Sequence, residues 1–361
     1  MGLSGGVDSA VSAAMLLKLG YEVVGVFIKT WHPDFLACNE EEERRDAMRV
    51  AAYLDIPFLT FDFEDVYKKE VGDYMISEYK LGRTPNPDVM CNKHVKFGAF
   101  LNKAVSMGAD FVATGHYARV AQVESIKYKV ERKDSKPNTS YSILHTGVDP
   151  AKDQSYFLWT LNQEQLSKIL FPVGGLEKKE VRKLAKKFKL PVAEKRDSQG
   201  ICFLGPVDLK EFLKHYIKEK KGDVVNESGE VIGFHEGSVF STLGERHGFT
   251  ITKKRPNDKR YYIVGKDIEK NIVVVSENQN QHSNILKNVR MSKTNWVSEI
   301  PTESKKHTAQ IRYHGELLNC QIKVISKTEA EVIFEKPVLV ASGQSIVVYD
   351  GDDCLGGGVV K

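Results

Sequence analysis

The chain has 361 residues, of which 41% are hydrophobic and 28% are charged, and this composition excludes a disordered or fibrous protein. Its 52 basic and 48 acidic residues give a formal net charge of +4, which is too small by itself to indicate a nucleic-acid partner. No run of about 18 apolar residues occurs, and the first motif follows Met1 almost directly, so we expect no membrane-spanning helix, no targeting segment and a cytoplasmic protein.

The first motif is a glycine-containing turn, SGGVDS, at residues 4–9. Its glycines let backbone N–H groups approach an anion, its serines add hydroxyl donors, and the helix predicted to follow favours negative charge at its start. The turn lacks the lysine of a G-x-x-x-x-G-K-[ST] loop, so it does not indicate transfer of a γ-phosphate. We interpret it as a phosphate-binding site; a serine–glycine turn that only caps the helix is the alternative.

Helix and strand patterns then alternate. Apolar residues at helical spacing from Val11 to Leu19 predict a first helix that ends at Gly20. The next predicted elements are a strand, a helix, a strand, two helices and a strand: 21–28, 39–55, 56–62, 64–81, 95–107 and 110–114. This alternation predicts an α/β fold with a doubly wound, mostly parallel sheet, whose ligands lie at the carboxyl ends of its strands. Because only residues 1–3 precede the turn, we expect the first strand to be short or missing, through truncation or a start assigned too late.

The pattern changes after Gly115. A hairpin that leaves the sheet is predicted at 118–123 and 127–131, a polar loop at 133–140, and helices at 154–159, 163–170, 177–190 and 207–216. Short alternating segments bounded by turn residues predict the later strands: 222–225, 231–234, 260–264, 271–276, 308–313, 317–325, 330–334, 345–349 and 355–360. We therefore predict a nucleotide-binding domain at 1–205, a small β-rich central domain at 206–278 and a C-terminal β-barrel at 279–361.

The five cysteines include no C-x-x-C pair, which argues against a disulfide framework or a zinc ribbon: Cys38, Cys91, Cys202, Cys320 and Cys354. Cys91 follows the segment GRTPNPD at 82–88, whose prolines predict an extended, stiff loop before a helix start. We expect that helix N-terminus and Lys93 to favour the Cys91 thiolate; a buried structural cysteine is the alternative.

Cys202 lies in a second glycine loop, DSQGICF at 197–203, next to Lys195 and Arg196. Two thiols in electropositive loops predict a sulfur relay, in which one thiol carries a persulfide and the other resolves it as a disulfide. Simple disulfide stapling is the competing interpretation. Cys320 and Cys354 lack such surroundings, so we expect them to pack inside the barrel.

Seven ordered motifs resemble those of the tRNA-specific 2-thiouridylases, which belong to the PP-loop ATP pyrophosphatases: SGGVDS (4–9), GRTPNPD with CNK (82–88 and 91–93), ATGHYAR (113–119), KDQSYFL (152–158), FPVG (171–174), GICF (200–203) and CLGGG (354–358). The resemblance runs from Gly2 to Val360. It implies a PP-loop domain of the adenine nucleotide alpha hydrolase-like type and ATP-dependent 2-thiolation of the wobble uridine of tRNA. ATP adenylates the position-2 oxygen, sulfur from a cysteine persulfide replaces it, and AMP and pyrophosphate are released.

The resemblance also implies roles for individual residues. ATP binding is assigned to Gly2, Leu3, Ser4, Gly5, Gly6, Val7, Asp8, Ser9, Ile28 and Gly115. Contact with the target base is assigned to Asn86, Pro87 and Asp88, and contact with tRNA to His116, Lys152, Asp153, Gln154, Arg312, Tyr313 and Gln344. Cys91 is the implied nucleophile and Cys202 the persulfide carrier. From charge alone we expect the Asp8 carboxylate to face a Mg²⁺ ion bound to the pyrophosphate of ATP; a helix N-cap is the alternative role.

Partners and competing functions follow from the same motifs. The implied partners are tRNA and a sulfur donor, either a cysteine desulfurase or a sulfur carrier protein.

The segment 178–189 holds seven basic side chains, which either follow tRNA phosphates or form the solvated face of an amphipathic helix. Two other functions remain open: a PP-loop synthetase for a small metabolite, which would not need the two thiols, and a non-catalytic tRNA-binding protein with a decayed nucleotide site.

Overall fold

The computed structural model describes residues 1–36, 39–123, 141–197, 200, 202–205, 207–253, 259–278 and 285–361. Its N-terminal part alternates helices and strands, as the sequence predicts. In chain order the elements are α1 (Val7–Lys18), β1 (Gly25–Lys29), α2 (Glu40–Tyr53), β2 (Phe58–Asp62), α3 (Glu64–Tyr67), a π-helical segment (Lys68–Asp73), α4 (Tyr74–Lys80), α5 (Pro87–Met90), a second π-helical segment (Cys91–Phe100), α6 (Leu101–Ser106) and β3 (Val112–Ala113).

Parallel strands form the centre of this part. β1 pairs with β2 in parallel, and the start of the chain pairs in parallel with the other side of β1. The Leu3 N–H donates to the Val26 carbonyl at 2.8 Å, and the Gly2 N–H donates to the Ala113 carbonyl at 2.9 Å. Residues 1–3 therefore lie between β1 and β3. The short first strand is present, and the SGGVDS turn begins where it ends.

The loop predicted at 82–88 is found only as far as Asn86: residues 83–86 lie outside any helix, and the chain is helical from Pro87 onward, so the prediction is wrong for Pro87 and Asp88. Pro87 is the first residue of α5, a position where the missing N–H costs no intrahelical hydrogen bond. The Asn86 side chain caps this helix by accepting a hydrogen bond from the Val89 N–H at 3.3 Å. The Asn-Pro step thus starts a helix, and Cys91 lies at the junction of α5 with the second π-helical segment.

Beyond β3 the chain leaves the parallel strands through an antiparallel hairpin, β4 (Ala118–Val123) with β5 (Tyr141–Thr146). The strand predicted at 127–131 and the loop predicted at 133–140 lie outside the described residues. The next elements are a 3₁₀ turn (Ser155–Phe157), α7 (Gln163–Leu166), β6 (Ile169–Leu170) and α8 (Lys178–Lys187). The helix prediction for 163–170 is wrong at its end, because Ile169 and Leu170 pair in parallel with β3.

The central part contains α9 (Leu209–Lys214) and a five-stranded sheet in the order β10-β11-β7-β8-β9. Its strands are β7 (Gly222–Val225), β8 (Val231–His235), β9 (Phe249–Ile251), β10 (Tyr262–Asp267) and β11 (Ile272–Ser276), with a 3₁₀ turn at Ser238–Phe240. Of these strands, β9 has no counterpart among the predicted segments. It is three residues long, too short for an alternating pattern to indicate.

The C-terminal part is a six-stranded barrel that closes through the pairing of β12 with β17. Its strands are β12 (Ile285–Trp296), β13 (His307–Gln310), β14 (Leu318–Ser326), β15 (Glu329–Leu339), β16 (Ser345–Asp350) and β17 (Asp353–Val360). Cys320 and Cys354 are buried in it, as expected, whereas Cys38 lies outside the described residues. The predicted fold class is confirmed. In the described part of the chain, no helix is long and apolar enough to cross a membrane.

The barrel and the N-terminal part share one apolar core. The β4–β5 hairpin extends the barrel sheet, because β5 pairs with β17. The Tyr156 hydroxyl donates to the Ser345 carbonyl at 2.9 Å, and the Trp159 indole N–H donates to the Ser345 hydroxyl at 3.2 Å. Phe97, from the π-helical segment that begins at Cys91, belongs to the same apolar cluster as Val347 of β16. The barrel thus supports the segment that carries Cys91.

Candidate active site

A cleft of about 670 Å³ opens at the carboxyl end of the parallel strands. The SGGVDS turn, the Cys202 loop and a corner of the barrel all contribute to its wall. Of the residues predicted for the site, those that line the cleft are Gly2, Leu3, Ser4, Gly6, Val7, Asp8, Ser9, Ile28, Asp88, Gly115, His116, Lys152, Gln154, Cys202 and Tyr313. The remaining predicted residues are not part of its lining: Gly5, Asn86, Pro87, Cys91, Asp153, Arg312 and Gln344.

The SGGVDS turn is held in shape by its own side chains and by close packing. The Ser9 hydroxyl accepts from the Ser4 N–H at 3.3 Å and donates to the Gly6 carbonyl at 3.0 Å. Gly5 has a φ of +70°, and a Cβ atom there would lie 2.5 Å from the Glu43 carbonyl oxygen. Only glycine fits, and the N–H groups of the first turn of α1, which have no partners within the helix, face the cleft mouth as anion donors.

Asp8 accepts hydrogen bonds from two neighbours in the cleft. The Lys178 ammonium lies 2.7 and 2.8 Å from its two carboxylate oxygens, and the Tyr117 hydroxyl donates to it at 2.7 Å. The N-cap of α1 is Gly6, so the alternative role of Asp8 as an N-cap is wrong. No cluster of three His, Cys, Asp or Glu side chains suited to a metal occurs among the described residues. A single carboxylate fits a Mg²⁺ ion that arrives on ATP phosphates rather than a resident ion.

Lys178 also ties the turn to the segment that precedes Cys202. It lies 2.9 Å from Asp197, which accepts further hydrogen bonds from Lys152 at 2.8 Å and Arg182 at 2.5 Å. We call these four side chains, together with Asp8, the Asp197 network. Burial opposes ionisation of Asp197, but the hydrogen bonds from Lys152 and Lys178 hold the pKa of its carboxyl well below the usual range.

This network divides the basic segment 178–189. Lys178 and Arg182 bind the Asp8 and Asp197 carboxylates, so they do not belong to a solvated face. The other five basic side chains of the segment are exposed on α8 and just after it: Lys179, Lys183, Lys186, Lys187 and Lys189. They remain available to either role.

The two predicted thiols meet in the fold although 111 positions separate them. The Cys91 and Cys202 sulfur atoms lie 3.5 Å apart, which confirms that they converge. The Cys202 N–H donates to the Asp88 carboxylate at 2.9 Å, and the Tyr67 hydroxyl donates to the Cys202 carbonyl at 2.7 Å. These hydrogen bonds fix the Cys202 backbone beside α5. No disulfide is needed to hold the thiols together, because side chains of the N-terminal part already position both.

The environments of the two thiols differ. The hydrogen bond from the Cys91 thiol, together with the nearby Lys96 ammonium, lowers the pKa of Cys202 to about 7. Complete burial raises the pKa of Cys91 well above its usual value. The expectation that Lys93 favours a Cys91 thiolate is therefore wrong. Lys93 is exposed, and the π-helical turn brings Lys96 to the thiols instead.

His116 is buried at the end of β3 and faces the thiols rather than bulk solvent. It contacts the Thr114 hydroxyl at 2.7 Å through Nδ1 and the Lys96 ammonium at 3.4 Å through Nε2, and its ring packs between Phe97 and Phe171. Burial and the Lys96 charge hold its pKa well below the usual value, so the imidazole is neutral. A neutral imidazole suits contact with a base better than contact with a phosphate.

Aromatic rings and one unpaired amide oxygen form the far wall of the cleft. The Phe157 and Tyr313 rings lie 4.3 Å apart between centroids, and His314 stacks on Tyr313 at 3.9 Å. Asn92 donates to the Phe157 carbonyl at 3.4 Å, and its buried Oδ1 atom has no hydrogen-bond partner within the described ranges. This wall offers flat apolar surfaces and a hydrogen-bond acceptor, which are the groups that bind an unstacked base.

Other residues predicted to contact tRNA hold the protein backbone in place through hydrogen bonds. The Asp153 carboxylate accepts from the Gly147 N–H at 2.8 Å and from the Ser155 hydroxyl at 2.8 Å. The Gln154 side chain accepts from the Tyr117 N–H at 3.0 Å. Arg312 is exposed beside Tyr313, and Gln344 is partly buried in the loop that precedes β16.

Sequence reasoning missed four groups: Asn92, Lys96 and Tyr117, which line the cleft, and Lys178, which pairs with the cleft residue Asp8. All four lie inside or next to motifs that were noted, but none has a spacing that marks it. Lys96 follows Cys91 by five residues, a π-helical spacing that a search for the ordinary helical period does not detect. Lys178 is concealed in a run of surface lysines, and only the fold shows which of them turns inward.

Comparisons with known proteins cover the whole chain. Family models match three consecutive parts: a tRNA methyl transferase HUP domain at 1–206, a tRNA methyl transferase PRC-barrel domain at 210–277 and an aminomethyltransferase beta-barrel domain at 286–360. The tRNA-specific 2-thiouridylase MnmA of Geobacillus thermodenitrificans is 43% identical over 367 residues, covering 100% of this chain and 93% of that protein. The Bacillus subtilis protein of the same name is 42% identical over 367 residues, covering 100% of this chain and 94% of that protein.

Solved structures show weaker similarity. NMN synthetase from Francisella tularensis matches with a TM-score of 0.32 at 16% identity, over 58% of this chain and 69% of that one. A predicted subunit of tRNA methyltransferase from Methanocaldococcus jannaschii matches with a TM-score of 0.27 at 16% identity, over 52% of this chain and 74% of that one. We draw no conclusion from either similarity.

Proposed function

The chain belongs to the tRNA-specific 2-thiouridylase family, and from this membership we propose that it is an ATP-dependent tRNA-uridine 2-sulfurtransferase acting on the wobble uridine. The observation that carries the proposal is the pair of sulfur atoms 3.5 Å apart, of which Cys202 lines the same cleft as residues of the SGGVDS turn. An enzyme that activates an oxygen with ATP and then replaces it by sulfur needs both features within reach of one base.

In the first step the position-2 oxygen of uridine attacks the α-phosphorus of ATP, pyrophosphate leaves, and the N3 proton is released. This converts a poor leaving group into AMP. The first-turn N–H groups of α1 and the Ser4 and Ser9 hydroxyls would hold the phosphates, with Gly2, Leu3, Ile28 and Gly115 around the rest of the nucleotide. Mg²⁺ would be held between the phosphates and Asp8, where it would neutralise charge on the pyrophosphate.

Sulfur transfer then proceeds in two displacements. The terminal sulfur of a Cys202 persulfide attacks C2, AMP leaves, and a Cys202–S–S–C2 linkage forms. The Cys91 thiol gives up its proton and attacks the Cys202 sulfur, which closes the Cys91–Cys202 disulfide and releases the sulfur on C2 as 2-thiouridine, whose N3 takes up a proton. A thiol reductant then reopens the disulfide before the next persulfide loads. The 3.5 Å separation supports the second displacement, because no large movement is needed to join the two sulfurs.

The target uridine must leave the anticodon stack so that its C2 atom can react inside the cleft. We propose that the unstacked base lies between the Cys202 loop and the Phe157–Tyr313 wall, close to Asn86, Pro87 and Asp88. Further tRNA contacts are proposed at His116, Lys152, Asp153, Gln154, Arg312, Tyr313 and Gln344. Arg312 is the exposed cation of this set, so it is the candidate for a phosphate.

The remaining proposals concern context. We propose a cytoplasmic location, a cysteine desulfurase or a sulfur carrier protein as the persulfide source, and domains at 1–205, 206–278 and 279–361. The competing functions fit less well. A metabolite synthetase has no use for two adjoining thiols, and a decayed nucleotide site would not keep the tight packing that requires glycine at positions 5 and 115.

One experiment separates these functions. The protein is incubated with ATP, a persulfide source and unmodified tRNA, and nucleosides are analysed by mass spectrometry while AMP is counted. We expect 2-thiouridine and tRNA-dependent AMP release. AMP release without tRNA would favour a metabolite synthetase, and tRNA binding without AMP release would favour a binding protein.

A further inference from the structure

Lys96 is the one cation that the fold places beside both thiols among the described residues. It lies five positions after Cys91 within the second π-helical segment, in which hydrogen bonds join residues five apart. One turn of this helix therefore puts Lys96 on the same face as Cys91. It lines the cleft, whereas Lys93, only two positions after Cys91 and therefore on the other side of the helix, is exposed.

The Lys96 side chain is half-buried and lines the same cleft as Cys202. Its ammonium lies 3.4 Å from the His116 Nε2 atom and 5.6 Å from the centre of the ring of Phe203, the residue after Cys202. The titratable groups around the two thiols are the Asp88 carboxyl, the Tyr67 hydroxyl and the neutral His116 imidazole. Lys96 supplies the positive charge in this group.

An ammonium that is partly withdrawn from water is stabilised by a negative partner. His116 is neutral, and the Asp88 carboxylate is already bonded to the Cys202 N–H. The Cys202 sulfur, which lines the same cleft as Lys96, is the partner that remains. Burial disfavours the charged form of Lys96, but the negative charges of Cys202 and Asp88 raise its pKa, so it stays protonated.

We propose that Lys96 is the ion-pair partner that holds the Cys202 sulfur in its anionic form, as the thiolate before loading and as the persulfide anion afterwards. The persulfide part rests on the proposed function; the thiolate part does not. The outer sulfur of a persulfide lies about 2 Å beyond the first, and a flexible lysine with three donors can follow the charge over that distance. Lys96 would thus keep the attacking sulfur nucleophilic at neutral pH.

The test measures the rate of Cys202 alkylation by iodoacetamide against pH in the full-length protein, with peptide mass spectrometry to separate Cys202 from Cys91. For the wild type we expect a midpoint near 7. Lys96→Met should raise the midpoint by about one unit or more, so that alkylation at pH 7 slows roughly fivefold to tenfold. Lys96→Arg keeps the positive charge, so its midpoint should stay near the wild-type value. If Lys96 only filled space, keeping the charge would give no such protection.

Lys93→Met is the matched control, because it removes an exposed lysine three residues earlier in the same helix, and its midpoint should not move. If Lys96→Met fails to fold, Lys96→Gln replaces it, with thermal unfolding as the check. An unchanged midpoint in a folded variant overturns the proposal. Alkylation needs neither ATP nor tRNA, so absence of 2-thiouridine from the wild-type reaction would contradict the proposed function without affecting this result.

Discussion

Cys91 and Cys202 lie side by side but are not equivalent. Cys91 is completely buried, and its pKa is raised well above the usual value by that burial; the pKa of Cys202 is lowered to about 7 by the Cys91 hydrogen bond and the Lys96 charge. At neutral pH the proton therefore resides on Cys91 and the negative charge on Cys202. This asymmetry favours Cys202 as the thiol that accepts sulfur and Cys91 as the thiol that acts later.

Cys202→Ser tests this division of roles. We expect 2-thiouridine formation to fall below detection, because serine cannot carry a persulfide, while the Kd for tRNA changes by less than about threefold. The measurements are nucleoside mass spectrometry and a tRNA binding assay. Cys320→Ala is the matched control, since Cys320 is buried in the barrel and is not part of the cleft lining, and it should keep thiolation. Retained thiolation in Cys202→Ser would refute the relay.

Asp8→Ala tests the nucleotide end of the cleft. We expect tRNA-dependent AMP release to fall roughly 100-fold, because the variant removes the proposed Mg²⁺ ligand and leaves Lys178 with only one carboxylate partner. Asp65→Ala, which also removes an acid from the first turn of a helix but lies outside the cleft lining, should release AMP at the wild-type rate. Unchanged AMP release in Asp8→Ala would contradict the role given to this carboxylate.

At this scale the sequence predicted the reacting groups better than their surroundings. The two thiols and the glycine turn stand in motifs whose residue types indicate their chemistry. Lys96 and Lys178 could not be selected, because one depends on a π-helical turn and the other on which lysine of a surface run meets Asp8 and Asp197. The sequence shows which side chains are charged, but not which way they point or which groups lie next to them.

The helix α1 begins directly against β3, and a glycine makes that approach possible. A Cβ atom on Gly115 would lie 2.8 Å from the Ser9 nitrogen and 2.9 Å from the Asp8 carbonyl carbon. Both neighbours are backbone atoms of the helix start, so they cannot turn away as a flexible side chain would. The close packing of the SGGVDS turn against the end of β3 thus depends on the absence of a side chain at residue 115.

Gly115→Ala should therefore displace the start of α1 and weaken ATP binding roughly tenfold, about 1.4 kcal/mol. The measurement is titration calorimetry with a non-hydrolysable ATP analogue. Gly175→Ala is the matched control, because no atom lies within 4 Å of a Cβ atom built there. An unchanged Kd in folded Gly115→Ala would show that the turn tolerates the shift.

The Asp197 network joins three elements, the SGGVDS turn, α8 and the segment that leads to Cys202. Asp197→Asn leaves Lys152, Lys178 and Arg182 without their shared carboxylate, and we expect faster hydrogen–deuterium exchange in the peptide that contains Cys202. The pKa of Asp197 is lowered in the fold, so its stabilising effect is complete above the ordinary carboxyl pKa of 3.8 and is lost as the pH falls through the lowered value.

Wild type and Asp197→Asn should thus differ in protection factor at pH 7 and converge under strongly acidic conditions. Glu194→Gln, which alters an exposed ion pair with Lys186, should match the wild type throughout. Equal protection of wild type and Asp197→Asn at pH 7 would mean that the network does not hold the Cys202 segment.

Alternating helix and strand patterns predicted most elements of the chain, with errors where local chemistry is ambiguous. Ile169 and Leu170 continue a helical period, yet they pair with β3, because an apolar pair next to an open strand is buried better in the sheet. The prolines of GRTPNPD predict an extended loop, yet Pro87 occupies the first position of α5, where proline is favoured. In each case a contact or a capping geometry from elsewhere in the fold decided the outcome.

The whole molecule brings its site together from distant parts of the chain. The barrel packs against the N-terminal part through a shared apolar cluster that includes Phe97, Trp159 and Val347. Tyr313 of the barrel end then faces the same cleft as the SGGVDS turn and Cys202. Residues of the SGGVDS turn, Cys202 and the aromatic wall line one cleft, with the Cys91 sulfur 3.5 Å from that of Cys202, so one bound uridine can meet ATP and sulfur in succession without leaving the cleft.

The most direct test is a single turnover with persulfide-loaded protein, ATP and unmodified tRNA, with no reductant present. Non-reducing peptide mass spectrometry counts the Cys91–Cys202 disulfide, nucleoside analysis counts 2-thiouridine, and chromatography counts AMP. We predict equal amounts of all three products, because each sulfur transferred consumes one ATP and leaves one disulfide. Formation of 2-thiouridine while both thiols remain free would contradict the account.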